Sequence, residues 1–147
     1  MSWIKIILMK HLPNLTFVLG GAASGKSAYA ELLCTQSGRA KIYIATAQVF
    51  DDEMGAKVVK HLDQRGTDWM TIEAPLDVAS ALKTAHAGDV VLVDCATLWL
   101  TNVILGDHDL GAQTDQFLMA LTSCAAPVII VSNEVGQGIV PDNALSR

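Results

Sequence analysis

Gly20-Gly21-Ala22-Ala23-Ser24-Gly25-Lys26-Ser27 reads G-x-x-x-x-G-K-S, a spacing that cradles polyphosphates. Gly20, Gly21 and Gly25 let the backbone take positive φ and approach phosphate oxygens closely. The N–H groups of the loop and the positive end of the following helix dipole then converge on one anion. Lys26 would set its ammonium against the β- and γ-phosphates, and Ser27 would offer a hydroxyl to Mg²⁺. A second candidate is Asp94, which ends the apolar run Val90-Val91-Leu92-Val93. A carboxylate at the end of a neighbouring strand can hold Mg²⁺ beside Ser27, or it can simply cap the next turn. The third is His61. Lys57 and Arg65 stand four residues to either side of it, so on a helix the three form one stripe. Such a stripe can bind phosphate and depress the imidazole pKa. It can also be a solvated charged face in which Glu53 pairs with Lys57.

These residues need a scaffold that gathers them. Leu15 to Leu19 is an apolar, β-branched run and reads as a buried strand. Ala28 to Leu33 is a good helix-forming sequence, stopped by Ser37-Gly38. Lys41 to Thr46 reads as the second strand, and a helix between two strands implies a parallel pair. Asp51 and Asp52 are N-cap candidates for a helix from about Glu53 to Gln64, with Met54, Val58, Val59 and Leu62 on its apolar face. Trp69 to Glu73 suits a short strand, Asp77 to His86 a helix, and Val90 to Asp94 a central parallel strand. Leu98 to Leu105 suits a helix, Gly106 to Gly111 a polar loop, Thr114 to Ser123 a helix, and Val128 to Ser132 another buried strand. Asn133 to Pro141 reads as a Gly-rich loop.

This alternation predicts an α/β fold, a doubly wound and mainly parallel sheet of P-loop NTPase type. Ligands of such sheets lie beyond the carboxyl ends of the strands, where Gly20, Thr46, Asp94 and Asn133 would gather.

Composition narrows the function classes. The chain has 147 residues, enough for one domain with a real core. A net charge of −5 argues against a nucleic-acid surface as its main business. Cys34, Cys95 and Cys124 are odd in number and widely separated, which suits packed thiols in a reducing cytoplasm. Ile4 to Met9 contains a Lys and is too short for a membrane span, so no span is expected. Residues 1–14 read as an N-terminal extension, with translation starting at Met1 or at Met9.

The P-loop, Tyr43-Ile44-Ala45-Thr46-Ala47-Gln48, Asp51-Asp52-Glu53-Met54 with His61, Val93-Asp94-Cys95 with Leu98-Trp99-Leu100-Thr101-Asn102, and Ser132-Asn133-Glu134-Val135-Gly136 with Ile139-Val140-Pro141 occur in this order. The ordered set closely resembles the bifunctional adenosylcobinamide kinase/adenosylcobinamide-phosphate guanylyltransferases of cobalamin synthesis, over about Leu15 to Arg147. The resemblance implies two steps, with ATP and GTP as substrates and Mg²⁺ as cofactor. A nucleoside triphosphate phosphorylates adenosylcobinamide, and GMP then passes from GTP through a histidine to adenosylcobinamide phosphate. His61 matches that histidine, with His86 and His108 as the alternatives. By the same matching Ala45, Thr46, Ala47, Leu62, Asp63, Gln64, Arg65, Glu73 and Asp94 contact nucleotide, although Glu73 also reads as a plain strand-end acid. The resemblance also implies a homo-oligomer.

Three departures accompany it. Ala23 stands where the family usually has Arg, and Leu62 where a basic residue usually follows the histidine, so weaker nucleotide binding is expected. The family continues past Arg147 through a helix and a last strand, so residues 15–147 read as a domain shortened at its C-terminal side, with a sheet edge and an apolar face left uncovered. Two other readings are another P-loop small-molecule kinase with a structural His61, and an inactive nucleotide-binding module.

Overall fold

Nine elements alternate along the chain in the computed structural model, which describes residues 12–21, 24–48 and 68–134. They are β1 (Leu15–Gly20), α1 (Lys26–Gln36), β2 (Ala40–Ala45), β3 (Trp69–Glu73), α2 (Val78–Leu82), β4 (Asp89–Asp94), α3 (Ala96–Leu105), α4 (Leu110–Ser123) and β5 (Val128–Asn133). The strands form one five-stranded sheet in the order β1-β5-β4-β2-β3, and every neighbouring pair is parallel. The expected doubly wound parallel sheet is therefore present. The helix expected over about 53–64, His61 within it, and the loop beyond Glu134 lie outside the described residues.

The period-2 alternation of the strands divides the core into two layers. Val18, Tyr43, Val90, Leu92, Ile129 and Val131 face α1 and pack with its Ala30 and Cys34. Ile42, Ile44, Val91, Val93, Val128 and Ile130 point to the other side, against Val78, Leu82, Trp99, Val103 and Phe117 of α2, α3 and α4. There Trp99 meets Phe117 edge-on, with ring centroids 4.8 Å apart, and its indole N–H donates to the Leu76 carbonyl at 2.9 Å. Both faces of β4 are buried, which is why its sequence is a continuous apolar run. Strand β1 is different: it lies at the end of the sheet, and Phe17 and Leu19, on its face away from α1, are 55% and 60% exposed.

Two helix boundaries differ from expectation by four residues. Helix α2 ends at Leu82 rather than His86, because the chain closes there in tight turns: the N–H groups of Thr84 and Ala85 donate to Ala81 and Leu82. The Thr84 hydroxyl also bonds Ala81 O, and the Asp89 carboxylate accepts from the His86 N–H. Helix α4 begins at Leu110, four residues before the expected Thr114, because Asp109 caps it by accepting from the Ala112 N–H at 3.0 Å. The Gly38 stop after α1 has φ +70°, as expected for a helix ended by glycine.

Cys34 packs as a small apolar residue, as expected, whereas Cys95 caps α3 by accepting from Leu98 N–H through Sγ. Burial, and then the Glu31 carboxylate, push the Cys34 thiol from 9.0 up to about 12, against the pull of Lys41. The folded chain thus keeps a proton that the unfolded chain releases. Stability is unaffected below the unfolded value and falls as pH rises from there toward the folded one. The slope from this thiol is at most about 1.4 kcal/mol per pH unit. Urea titrations of Cys34→Ala across this alkaline window should show a flatter pH dependence than the unsubstituted chain; an identical slope would contradict the assignment.

Candidate functional site

The loop between β1 and α1 is shaped by its glycines. Gly25 has φ +82°, a conformation strained for any residue with a Cβ. A Cβ on Gly20 would collide with Ser24 Oγ and crowd Ser24 Cβ, so a larger residue there would force Ser24 to shift. Helix α1 starts at Lys26 with Gly25 as N-cap, no side chain caps it, and no acid lies in its first turn. Its first N–H groups and dipole are thus presented to the loop without a resident carboxylate to satisfy them. Lys26 Nζ donates to Gly21 O at 3.0 Å and spans the same loop. Of the eight motif residues, Ala22 and Ala23 lie outside the described residues.

The sheet brings Asp94 to this loop. In the order β1-β5-β4, Asp94 ends the strand two places from β1, about 10 Å across the sheet. By alternation Asp94 lies on the α1 side of β4, as Val90 and Leu92 do. Ser27, in the first turn of α1, donates from Oγ to Asp94 Oδ2 at 3.2 Å. The two residues singled out for Mg²⁺ therefore meet. A hydroxyl and a carboxylate oxygen are the hard donors Mg²⁺ takes, and such sites are usually completed by substrate phosphates and water. Tyr43 joins them from β2, its hydroxyl donating to the same Asp94 Oδ2 at 2.6 Å.

Thr46 plays another part. It is fully buried. Its hydroxyl donates to Cys95 O and accepts from Cys95 N, both at 2.8 Å. Its N–H donates to Asp94 O, and its carbonyl accepts from Asn102 Nδ2 at 2.8 Å. The same Asn102 amide reaches Pro75 O at 3.0 Å. Thr46 and Asn102 thus lock the ends of β2, β3 and β4 together, on the side of the sheet opposite the P-loop helix. Asn102 was not singled out by sequence reasoning for this. The available signal was an amide inside the apolar run of α3.

Ala45 ends β2 level with Asp94 on one side and Glu73 on the other. Glu73 is exposed and ends β3, two strands and about 10 Å of backbone from Asp94. It lines a cleft of about 540 Å³ with Gln48, Ile72, Pro75 and Asp77. A larger cavity of about 950 Å³ lies between α2 and α4 and contains none of the candidate residues. Ala47 follows Thr46 on the rim, half-buried. His61, Leu62, Asp63, Gln64 and Arg65 lie outside the described residues. His86 is placed just before Asp89, at the opposite end of β4 from Asp94, about 17 Å away along the strand. His108 follows the far end of α3.

The model of a family described as cobinamide kinase / cobinamide phosphate guanyltransferase matches residues 16–147. A bifunctional adenosylcobalamin biosynthesis protein, CobP, of Pseudomonas aeruginosa is 47% identical over 133 residues, covering 88% of this chain and 77% of the relative. The bifunctional adenosylcobalamin biosynthesis proteins CobU of Salmonella typhimurium and Escherichia coli are 38% and 36% identical over 146 residues, covering 88% of this chain and 80% of each relative.

The loop geometry yields a direct expectation. Lys26→Ala removes the one side-chain cation that the described part of the loop holds, and should weaken nucleoside triphosphate binding by roughly ten- to a hundredfold, as for loss of a charge-assisted contact. Calorimetric titration with a non-hydrolysable analogue checks this; unchanged affinity would count against the loop as the phosphate site.

Proposed function

The chain belongs to the cobinamide kinase / cobinamide phosphate guanyltransferase family, and from that premise we propose that it performs both transfers on one nucleotide site. The observation that carries the reading is the meeting of Ser27 with Asp94 at the mouth of an uncapped P-loop helix, in a chain matched to the family from residue 16 to 147.

In the first transfer the hydroxyl of the aminopropanol arm of adenosylcobinamide attacks the γ-phosphorus of ATP or GTP. The bond to the β-phosphate oxygen breaks, the hydroxyl proton leaves, and a nucleoside diphosphate departs. The loop N–H groups and Lys26 hold the phosphates as charge shifts toward the leaving oxygen. Ser27 and Asp94 would hold Mg²⁺, which when bound neutralises phosphate charge and fixes its geometry. In the second transfer a neutral imidazole nitrogen of His61 attacks the α-phosphorus of GTP and pyrophosphate leaves. The phosphate of adenosylcobinamide phosphate then attacks the resulting phosphoramidate, releasing His61 and forming adenosylcobinamide-GDP. Splitting the transfer this way divides one displacement at the α-phosphorus into two.

Glu73 is assigned to the nucleotide outside its phosphates, because it lines a cleft with Gln48, Pro75 and Asp77 rather than the P-loop. Ala45, Ala47 and the Leu62–Arg65 segment are assigned to nucleotide contacts on the same rim. Thr46 would serve the site through the backbone it locks, because its hydroxyl is already engaged. A cytoplasmic setting is supported by three cysteines that are all free, and among the described residues no helix is long and apolar enough to cross a membrane. We assign the active form to a homo-oligomer.

GTP labelled at its α-phosphorus should leave label on the protein through an acid-labile, base-stable bond. His61→Asn, which keeps polarity without a nucleophilic ring nitrogen, should abolish that adduct and leave the kinase transfer near its original rate. Adduct yield should also fall as the pH is lowered and the imidazole takes up a proton, because the lone pair that attacks is then lost. An adduct that survives in His61→Asn would place the nucleophile elsewhere.

A further inference from the structure

Tyr43 lies outside the phosphate loop, on the strand beside Asp94, and the chemistry above gives it no part. In the β2–β4 register Tyr43 pairs with Leu92, and Ala45 pairs with Asp94. Tyr43 is therefore the diagonal neighbour of Asp94 on the α1 face, two residues back, a distance a long aromatic side chain can bridge. Its ring is buried in the layer beneath α1 and meets Trp69 edge-on at 6.0 Å, so the ring has little room to swing. The hydroxyl emerges from that packing to bond Asp94 Oδ2 at 2.6 Å, a short, charge-assisted contact.

Ser27 also donates to Oδ2. A carboxylate oxygen has about two lone-pair sites, so the two hydroxyls together occupy Oδ2. Asp94 is left to meet a cation through Oδ1 or through water. We propose that Tyr43 is a positioning residue for the metal site: it fixes the rotation of the Asp94 carboxylate and restricts it to single-oxygen contact with the ion. A short aspartate held only by Ser27 could turn about its last bond, or chelate through both oxygens. Mg²⁺ demands near-octahedral geometry, to which a bidentate carboxylate is poorly suited. The tyrosine thus favours Mg²⁺ over larger, more permissive cations such as Ca²⁺.

This inference rests on the reading of Ser27 and Asp94 as metal ligands, and its test separates the two. Mn²⁺ binding to the full chain in the presence of a non-hydrolysable GTP analogue can be followed by electron paramagnetic resonance. Failure of the unsubstituted chain to bind Mn²⁺ with the analogue would overturn the metal reading itself. Given binding, Tyr43→Phe should weaken Mn²⁺ affinity about tenfold and narrow the preference for Mg²⁺ over Ca²⁺ in competition. In turnover it should raise the KM for Mg²⁺ more than it lowers kcat at saturating metal. In an Asp94→Asn background the same substitution should have no further effect. Equal Mn²⁺ affinity in Tyr43→Phe, or the same loss in both backgrounds, would overturn the proposal. A measurement that needs no Tyr43 substitution guards against misfolding. The chain has two tyrosines, so carbon-13 at the hydroxyl-bearing ring carbon gives two resonances, assigned by Tyr29→Phe. The Tyr43 resonance should move on Asp94→Asn and on addition of Mg²⁺ with the analogue; a resonance indifferent to both would contradict the contact.

Discussion

The hydrogen bond from Ser27 to Asp94 ties the P-loop helix to the centre of the sheet. It crosses from the first turn of α1 to the end of β4, two strands away from the strand that feeds the loop. For it to form, β5 must lie between β1 and β4 in parallel register, and α1 must lie across β1, β5 and β4. The apolar layer of Val18, Ala30, Cys34, Leu92, Ile129 and Val131 supplies that arrangement. Burial of this layer is non-directional and sets only the distance of helix from sheet. The hydroxyl–carboxylate contact then fixes how the helix end is aimed.

A second lock acts on the other side of the same rim. Thr46, Cys95 and Asn102 exchange hydrogen bonds that hold the ends of β2 and β4 together, and Asn102 extends the lock to Pro75 after β3. These are buried polar groups with their partners made, the condition under which such groups rigidify a fold. The two locks divide the labour: one face of the rim carries the groups suited to phosphate and metal, and the other keeps the strand ends in line. Thr46 belongs to the second face, so its side chain turns away from the P-loop although its segment is one proposed to contact nucleotide.

Much of this was legible in the sequence because it rests on local rules. The Gly-rich turn between a β-branched run and a helix former gave the loop, and the unbroken Val90–Val93 run ending in Asp94 gave the central strand. The start of α4 at Leu110 depended on one capping contact from Asp109, and the early end of α2 on local turn hydrogen bonds, neither of which hydrophobic periodicity registers. Tyr43 was hidden for a different reason. In the sequence it is one aromatic residue in a strand, and its reach to Asp94 exists only once β2 and β4 are in register, 51 residues apart in the chain. The twofold role of a strand residue, packing through its ring and positioning through its hydroxyl, has no sequence signature. Asn102 does carry a signal, an amide within an apolar helical run, but its two acceptors, Thr46 O and Pro75 O, come from different loops and are not legible in it.

We propose that Ser27 and Asp94 form one metal-bearing phosphate site at the mouth of the P-loop helix. Crystals grown with Mn²⁺ and a non-hydrolysable GTP analogue test it most directly, because anomalous scattering locates the ion independently of the protein trace. A peak is expected at coordination distance, about 2.1–2.2 Å, from Ser27 Oγ and a phosphate oxygen, with Asp94 touching the ion directly or through one water. A nucleotide whose phosphates lie away from the Gly20–Ser27 loop, or an ion with neither Ser27 nor Asp94 in reach, would contradict it.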